Sequence, residues 1–138
     1  MQPKTVKFRV GDFILREKSP ATALYIIKKG QIKVFRDGGE GKEIPLAIVN
    51  SGEYLGEMSV ITDRPHSASA VAMTPVEAVE IEKKSIDEQI KTAPQWLVGI
   101  ARLLVERLER TNEILRRNGI VDEKISSAIK ALGEHKAF

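Results

Sequence analysis

The sequence contains no cysteine and only two histidines, His66 and His135, among its 138 residues. Without cysteine there is neither a disulfide nor a thiolate site, and a reducing compartment is the natural setting. A zinc site or a nucleophilic triad needs convergent histidine, cysteine or carboxylate side chains, and of the first two types the chain offers only these two histidines. The composition therefore predicts no metal site and a non-enzymatic protein. A carboxylate pair brought together by the fold is the one catalytic arrangement left open.

Long apolar runs are also missing from the sequence. No stretch reaches the roughly 20 apolar residues of a membrane-spanning helix, and the N-terminus has no hydrophobic signal core. The net charge of +3 is too small to indicate a nucleic-acid partner, although the pI of about 9.2 leaves room for an anionic small ligand. We therefore expect a soluble, cytoplasmic domain with a real core, no membrane partner and no nucleic acid bound by this chain itself.

The part of the chain before Lys83 has the pattern of short β-strands. Val6–Val10 alternates, and Leu24–Ile27 and Ile44–Val49 are short apolar runs. Glycine turns such as Lys29-Gly30 separate them. Many short strands between such turns predict a mainly β protein, a barrel or a jelly roll.

The stretch Ser51–Met73 has the pattern of a ligand-binding loop. Gly56 permits a positive φ or a close approach of backbone, and Glu57 beside it offers two acceptor oxygens to a sugar hydroxyl. A short helical turn after Met58 would leave free N–H groups, the usual way to hold a phosphate. The run Asp63–His66 then breaks the chain before an alternating strand of small residues.

This segment resembles the phosphate-binding cassette of cyclic-nucleotide-binding domains, usually Gly-Glu-(Leu/Met)-(Ser/Ala)-Leu, a few turn residues, then Pro-Arg-Ser/Ala-Ala-Thr. The resemblance implies a jelly-roll β-barrel (double-stranded β-helix) with short flanking helices and with cAMP or cGMP as regulatory ligand. It implies that Glu57 binds the ribose 2′-hydroxyl, and that backbone amides after Gly56, together with Ser67, bind the cyclic phosphate. The implied ligand-binding residues of the cassette are Leu55, Gly56, Glu57, Met58, Ser59, Arg64, Pro65, His66, Ser67 and Ala68.

One position departs from the family pattern. His66 stands where the family places its phosphate-pairing arginine, and an arginine occurs two residues earlier at Arg64. An arginine makes two parallel charge-assisted bonds to a phosphate, whereas an imidazole makes only one. We expect His66 to replace the arginine with help from Arg64. The alternative is a cassette that binds no nucleotide, in a module that serves dimerisation or interaction only.

After Lys83 the apolar period changes to that of helices. Pro94 opens a long predicted helix that runs to about Arg117 and closes at Asn118-Gly119. Its apolar stripe is too wide for packing on one surface alone, so part of it should cover the barrel. The sequence thus predicts a barrel at 1–93, a dimer helix at 94–118, and a short C-terminal helix or tail at 119–138.

One track of the long helix is spaced like the seam of a parallel coiled coil, which predicts a homodimer. An ordinary helix docked on its own barrel is the alternative. The seam positions are Leu97, Ile100, Leu104, Thr111 and Ile114.

The run Glu106–Glu113 resembles the dimer helix of the catabolite activator protein (Crp/Fnr-like) branch of the family. This resemblance implies that Thr111 and Asn112 contact the adenine and that Arg107 matches an arginine of that branch. Alternatively, Thr111 sets the register of the seam and Arg107 is a solvated charge. In that branch a DNA-binding domain follows, and the sequence ends at Phe138, before such a domain would fit. The expected function is a cyclic-nucleotide sensor that signals to its dimer helix, with the sensor fragment of a transcription regulator as a further alternative.

Overall fold

The computed structural model of the protein describes residues 3–117. These residues form eight strands and three helices. The strands are β1 (Lys4–Phe8), β2 (Phe13–Leu15), β3 (Ala23–Lys29), β4 (Ile32–Asp37), β5 (Glu43–Val49), β6 (Tyr54–Leu55), β7 (Ser69–Ala72) and β8 (Val76–Glu82). The helices are α1 (Glu57–Thr62), α2 (Lys83–Thr92) and α3 (Gln95–Arg117). The short helix or tail expected at 119–138 lies outside the described residues.

The strands form two antiparallel four-stranded sheets, with the orders β1-β8-β3-β6 and β2-β7-β4-β5. Partners such as β1 and β8, or β2 and β7, are distant in sequence, as the crossing connections of a jelly roll require. Within residues 3–117 no strand of one sheet pairs with a strand of the other, so hydrogen bonds do not close the barrel. The predicted mainly β jelly roll with short helices and a long C-terminal helix is confirmed.

The core contains large branched side chains together with small ones. Ile27 and Ile32 are fully buried, and so are Ala70 and Ala78 on the second strand of each sheet. Alanine at those two positions leaves room for the isoleucines, because a protein interior is packed to near crystalline density. Val60 of α1 is fully buried as well, which anchors this short helix on the body of the protein.

Two strand boundaries differ from the sequence pattern. The alternation of Val6–Val10 predicted a strand there, but β1 ends at Phe8. The Arg9 N–H donates to Asp12 Oδ2 over 2.7 Å, and the Asp12 N–H donates back to Arg9 O over 3.0 Å, so a turn begins at Arg9. The strand expected from Ser67 begins only at Ser69. Shortly before this strand, the backbone N–H and carbonyl of His66 are both hydrogen-bonded to the loop between β2 and β3.

Helix α3 has two different faces. Its half-buried residues Val98, Ala101, Val105 and Glu109 recur every three or four positions, and this face packs toward α1. The wide apolar stripe seen in the sequence lies elsewhere on the helix and stays exposed, with side chains 39–68% accessible. Packing on the chain's own barrel therefore does not use this stripe. Its members are Trp96, Leu97, Ile100, Leu103, Leu104, Leu108, Ile114 and Leu115.

The turn between β3 and β4 depends on Gly30. Its φ is +101°, and a Cβ there would lie 2.4 Å from Pro75 O. We expect Gly30→Ala to lower the free energy of unfolding by about 2–5 kcal/mol, the sum of a left-handed backbone and a steric overlap. Gly11→Ala is the matched control, because Gly11 has a φ of +89° but open space around it. Urea denaturation of both variants at one protein concentration measures the difference, and equal losses would refute the steric role of Gly30.

Candidate functional site

The candidate site is built around Gly56, the single residue between β6 and α1. Its φ is +83°, and a Cβ there would lie 3.2 Å from Ala23 O at the start of β3. The same point is 3.6 Å from His66 Cε1 and 3.6 Å from Leu15 Cδ1. A side chain at Gly56 would be tight against Ala23 O, and the other two distances are ordinary contacts. The positive φ predicted as one role of Gly56 is present.

Helix α1 begins at Glu57, directly after this junction. The short helical turn predicted after Met58 is therefore present but begins earlier than predicted. Leu55 before it and Ser59 within it are buried, which fixes both ends of the junction on the barrel. Glu57 and Met58 are half-buried. The first N–H groups of any helix lack an intrahelical acceptor and are therefore available to an anion. The first amide with a helical partner is that of Val60, which donates to Gly56 O over 3.3 Å.

Glu57 is a carboxyl group that the fold removes partly from water. Burial raises the pKa of Glu57, and a hydrogen bond from its own backbone N–H lowers it by a smaller amount. A carboxylate has about four lone-pair sites, so one internal hydrogen bond leaves acceptor capacity for a ligand hydroxyl. A ligand hydroxyl that donates a hydrogen bond to Glu57 would replace the water that burial has removed from this carboxylate.

His66 is buried beside Gly56, with 6% of its surface exposed. Its N–H donates to Ser19 O over 2.9 Å, and its carbonyl accepts from the Lys18 N–H over 2.8 Å. Burial lowers the pKa of the imidazole, because the charged form loses its water. A pKa below the ordinary value leaves His66 mostly neutral at pH 7, and a bound anion would favour its charged form.

Arg64 connects the cassette to α3. It follows Asp63, the C-terminal cap of α1, whose φ of 57° is left-handed. The Arg64 N–H donates to Ser59 O over 3.2 Å, and its Nη1 donates to Glu109 Oε2 over 2.8 Å. The other predicted residues of this stretch line the surface, since Pro65 and Ser67 are exposed and Ala68 is half-buried.

The residues of α3 that were predicted to contact a base are exposed. The Thr111 hydroxyl donates to Arg107 O over 2.9 Å within the helix. At 3.6 residues per turn, Arg107 and Thr111 lie about 160° around the helix from Glu109, whereas Asn112 lies about 60° from it. Arg107 and Thr111 therefore face away from the chain's own cassette, and Asn112 lies nearer to it.

Sequence reasoning missed the ion pairs that hold the cassette. Asp63 Oδ1 lies 3.0 Å from Lys83 Nζ on α2, and Arg64 meets Glu109 on α3. The hydrogen bond from Lys83 to Asp87 and then the one to Asp63 raise the pKa of Lys83. No local pattern marks Lys83 as the partner of Asp63, or Glu109 as the partner of Arg64, because the members of each pair are distant in sequence and meet only through packing.

Two further properties concern residues 3–117 alone. This part of the chain has no group of three or more histidine and acidic side chains arranged to hold a metal ion. Its helices include none that is long and apolar enough to span a membrane. An open groove of about 490 Å³ beside α2 is lined by Lys83, Lys84 and Lys91 but also by Asp87 and Glu88. Its mixed charges favour no class of ligand.

Comparison with known proteins identifies the class. The Cyclic nucleotide-binding domain family matches residues 5–93. The chain is 32% identical over 114 residues to the CRP-like cAMP-activated global transcriptional regulator of Mycobacterium tuberculosis (strain ATCC 25618 / H37Rv), a match that covers 83% of this chain and 51% of that protein. The cAMP-bound structure of the EAL enzyme Bd1971 superposes with a TM-score of 0.69 at 30% identity, covering 85% of this chain and 32% of that one. Its cGMP-bound form gives 0.68 at 30% identity, with coverage of 76% and 28%.

The two four-stranded sheets and the Gly-Glu junction are those of a jelly-roll domain with a short helix after β6. More specifically, the chain belongs to the cyclic nucleotide-binding domain family, and over this domain it is similar to regulators of the CRP type. The resemblance inferred from the cassette is confirmed. The chain spans about half the length of the mycobacterial regulator.

We expect His66 of the ligand-free protein to titrate below the ordinary histidine pKa of about 6.5. NMR of a His135→Gln variant measures this directly, because only two histidines exist. The unfolded chain then binds more protons than the folded chain between the two pKa values. The free energy of unfolding should therefore fall as the pH drops below about 6.5. A pKa at or above that value would show that burial does not control this imidazole.

Proposed function

We propose that this chain is a regulatory, non-catalytic domain that binds a cyclic nucleotide, cAMP or cGMP, in its cassette and transmits binding to α3. The observation that carries the proposal is the junction at Gly56. There a left-handed glycine brings α1 against β3 and beside His66, within the residues matched by the family. The cAMP-bound and cGMP-bound forms of the EAL enzyme support both nucleotides as ligands.

Each half of the nucleotide has a partner in this proposal. The ribose 2′-hydroxyl donates to Glu57, whose raised pKa reflects lost hydration that a ligand hydrogen bond would replace. Backbone amides of the first turn of α1 hold the cyclic phosphate, and the exposed Ser67 adds a hydroxyl. Leu55, Met58, Ser59, Pro65 and Ala68 shape the surroundings.

The positive charge comes from two side chains with different properties. His66 is neutral in the free protein, so its charging by the phosphate would couple binding to proton uptake. Arg64 is charged at every physiological pH but is paired with Glu109. On this proposal a permanent charge and a titrating one share the role of the family's single arginine.

We expect Glu57→Ala to weaken binding of cAMP or cGMP by about 1–3 kcal/mol, because a charged acceptor for the ribose hydroxyl is lost. Calorimetric titration with each nucleotide measures this. Glu53→Ala is the control, since Glu53 is an exposed acidic residue shortly before the cassette. Equal affinity of the Glu57→Ala variant and the wild type would show that Glu57 does not bind the ribose hydroxyl.

The exposed stripe of α3 supports a homodimer through this helix. Leu97, Ile100 and Leu104 are 49%, 48% and 58% exposed, and Leu108 and Ile114 continue the stripe at 51% and 52%. Contiguous apolar surface of this kind marks an interaction site. A second copy is the proposed occupant because the spacing is that of a parallel coiled-coil seam. Arg107, Thr111 and Asn112 would then lie at or beside the seam, where a partner's ligand could meet them.

We expect Leu104→Glu to convert a dimer into monomers, because it buries a charge in the seam. Val10→Glu is the matched control, since Val10 is 45% exposed on the barrel and the change in charge is the same. Light scattering over a range of concentrations measures the mass of each variant. A wild-type protein that stays monomeric at high concentration would contradict the dimer proposal.

A second function remains a candidate because of the charges in the cassette. His66 is neutral, and Arg64 is engaged by Glu109, so the ligand-free cassette presents no unpaired permanent cation. A dimerisation module without ligand fits that observation. Persistent dimers that bind neither nucleotide would favour it. The sensor fragment of a transcription regulator fits the partial coverage of the mycobacterial protein, with DNA bound through other sequence.

A further inference from the structure

Two adjacent residues at the end of α1 carry opposite charges and pair with different helices. Asp63 lies 3.0 Å from Lys83 on α2, and Arg64 lies 2.8 Å from Glu109 on α3. The cassette is thus tied to both helices by neighbouring side chains. The tie to α2 is shared, because Lys83 also pairs with Asp87 over 2.7 Å. The tie to α3 is the direct charged contact between the cassette and the proposed dimer helix.

The backbone around Arg64 is fixed, whereas its side chain is free to change partner. The Arg64 N–H is bonded to Ser59 O over 3.2 Å, and two residues later the His66 N–H is bonded to Ser19 O over 2.9 Å. The side chain of Arg64 is 56% exposed and that of Glu109 is 31% exposed. Exposed ion pairs of this kind are weak, so a stronger anion nearby can take the guanidinium.

An anion in the cassette is such a competitor. Between Leu55 and Ala68 the sequence has one permanently charged cation, Arg64, and His66 beside Gly56 is held neutral by burial. A phosphate accepts two parallel charge-assisted bonds from an arginine, whereas the bond seen here joins Arg64 Nη1 to Glu109 Oε2 on an exposed surface. A phosphate within reach of Arg64 would therefore compete with Glu109 for the same guanidinium.

We infer that Glu109 sets the affinity of the cassette for its anionic ligand by competing for Arg64, and that ligand binding opens the Arg64–Glu109 pair. This inference rests on the proposed cyclic-nucleotide function. Linkage requires reciprocity: if the ligand weakens the pair, then removal of the pair strengthens ligand binding by the same factor. Glu109 thus lowers affinity without touching the ligand, and it connects the state of the cassette to α3.

The test is calorimetric titration of the full chain with cAMP and with cGMP. Glu109→Gln should bind the nucleotide about two- to five-fold more tightly than the wild type, the range expected for an exposed ion pair. Glu106→Gln is the matched control, because it removes the same charge from an exposed position on the same helix. Its affinity should stay at the wild-type value, which separates competition for Arg64 from a general change in charge.

A double-mutant cycle identifies Arg64 as the shared partner. Arg64→Gln should weaken binding, and Glu109→Gln added to Arg64→Gln should then have no effect on affinity. Thermal melts of the ligand-free variants verify folding, and Glu109→Ala provides a second variant. Suppose that the wild type binds, but Glu109→Gln has the same affinity as Glu106→Gln, or Glu109→Gln still raises affinity in the Arg64→Gln background. Either result refutes the competition and leaves the proposed function standing. If the wild type binds neither nucleotide, the proposed function fails and this inference fails with it.

Discussion

The arrangement of the site depends on one position at which a side chain would be crowded and the backbone strained. At Gly56 the backbone is left-handed, and a Cβ would crowd Ala23 O at 3.2 Å. Because this junction lies so close to β3, α1 begins against the barrel and Val60 reaches the core. His66 lies beside this junction, and burial lowers the pKa of its imidazole. The glycine thus lies where the short helix, β3 and the buried imidazole come together.

The ligand-free cassette has little net charge to offer. Burial keeps His66 neutral, the pKa of Glu57 is raised, and Arg64 is neutralised by Glu109. A bound anion that carries hydroxyl groups would change each of these states. In the proposed function the ligand thus does more than fill a preformed charged pocket, since it redistributes protons and ion pairs among residues already in place.

Local sequence patterns predicted the start of an element where one residue type suits a particular backbone conformation. Pro94 located the start of α3, whereas the short helix predicted after Met58 begins already at Glu57. The pairing of Arg64 with Glu109 was not predictable, because these residues are 45 positions apart and meet only after α1 packs on α3. The orientation of α3 was equally open, since the helix has apolar residues both at Val105 and at Leu104 and periodicity alone does not say which faces the barrel.

The two faces of α3 would couple the two nucleotide sites of a dimer. One face carries Glu109 and packs toward the chain's own α1, while the other carries Leu104 and Thr111 toward the proposed second chain. A rotation of the helix that relieves one contact alters the other in the same movement. Two nucleotide sites joined through such a helix pair would not fill independently, and the sign of their cooperativity would depend on which rotation each contact prefers. The Hill coefficient for two sites is at most two.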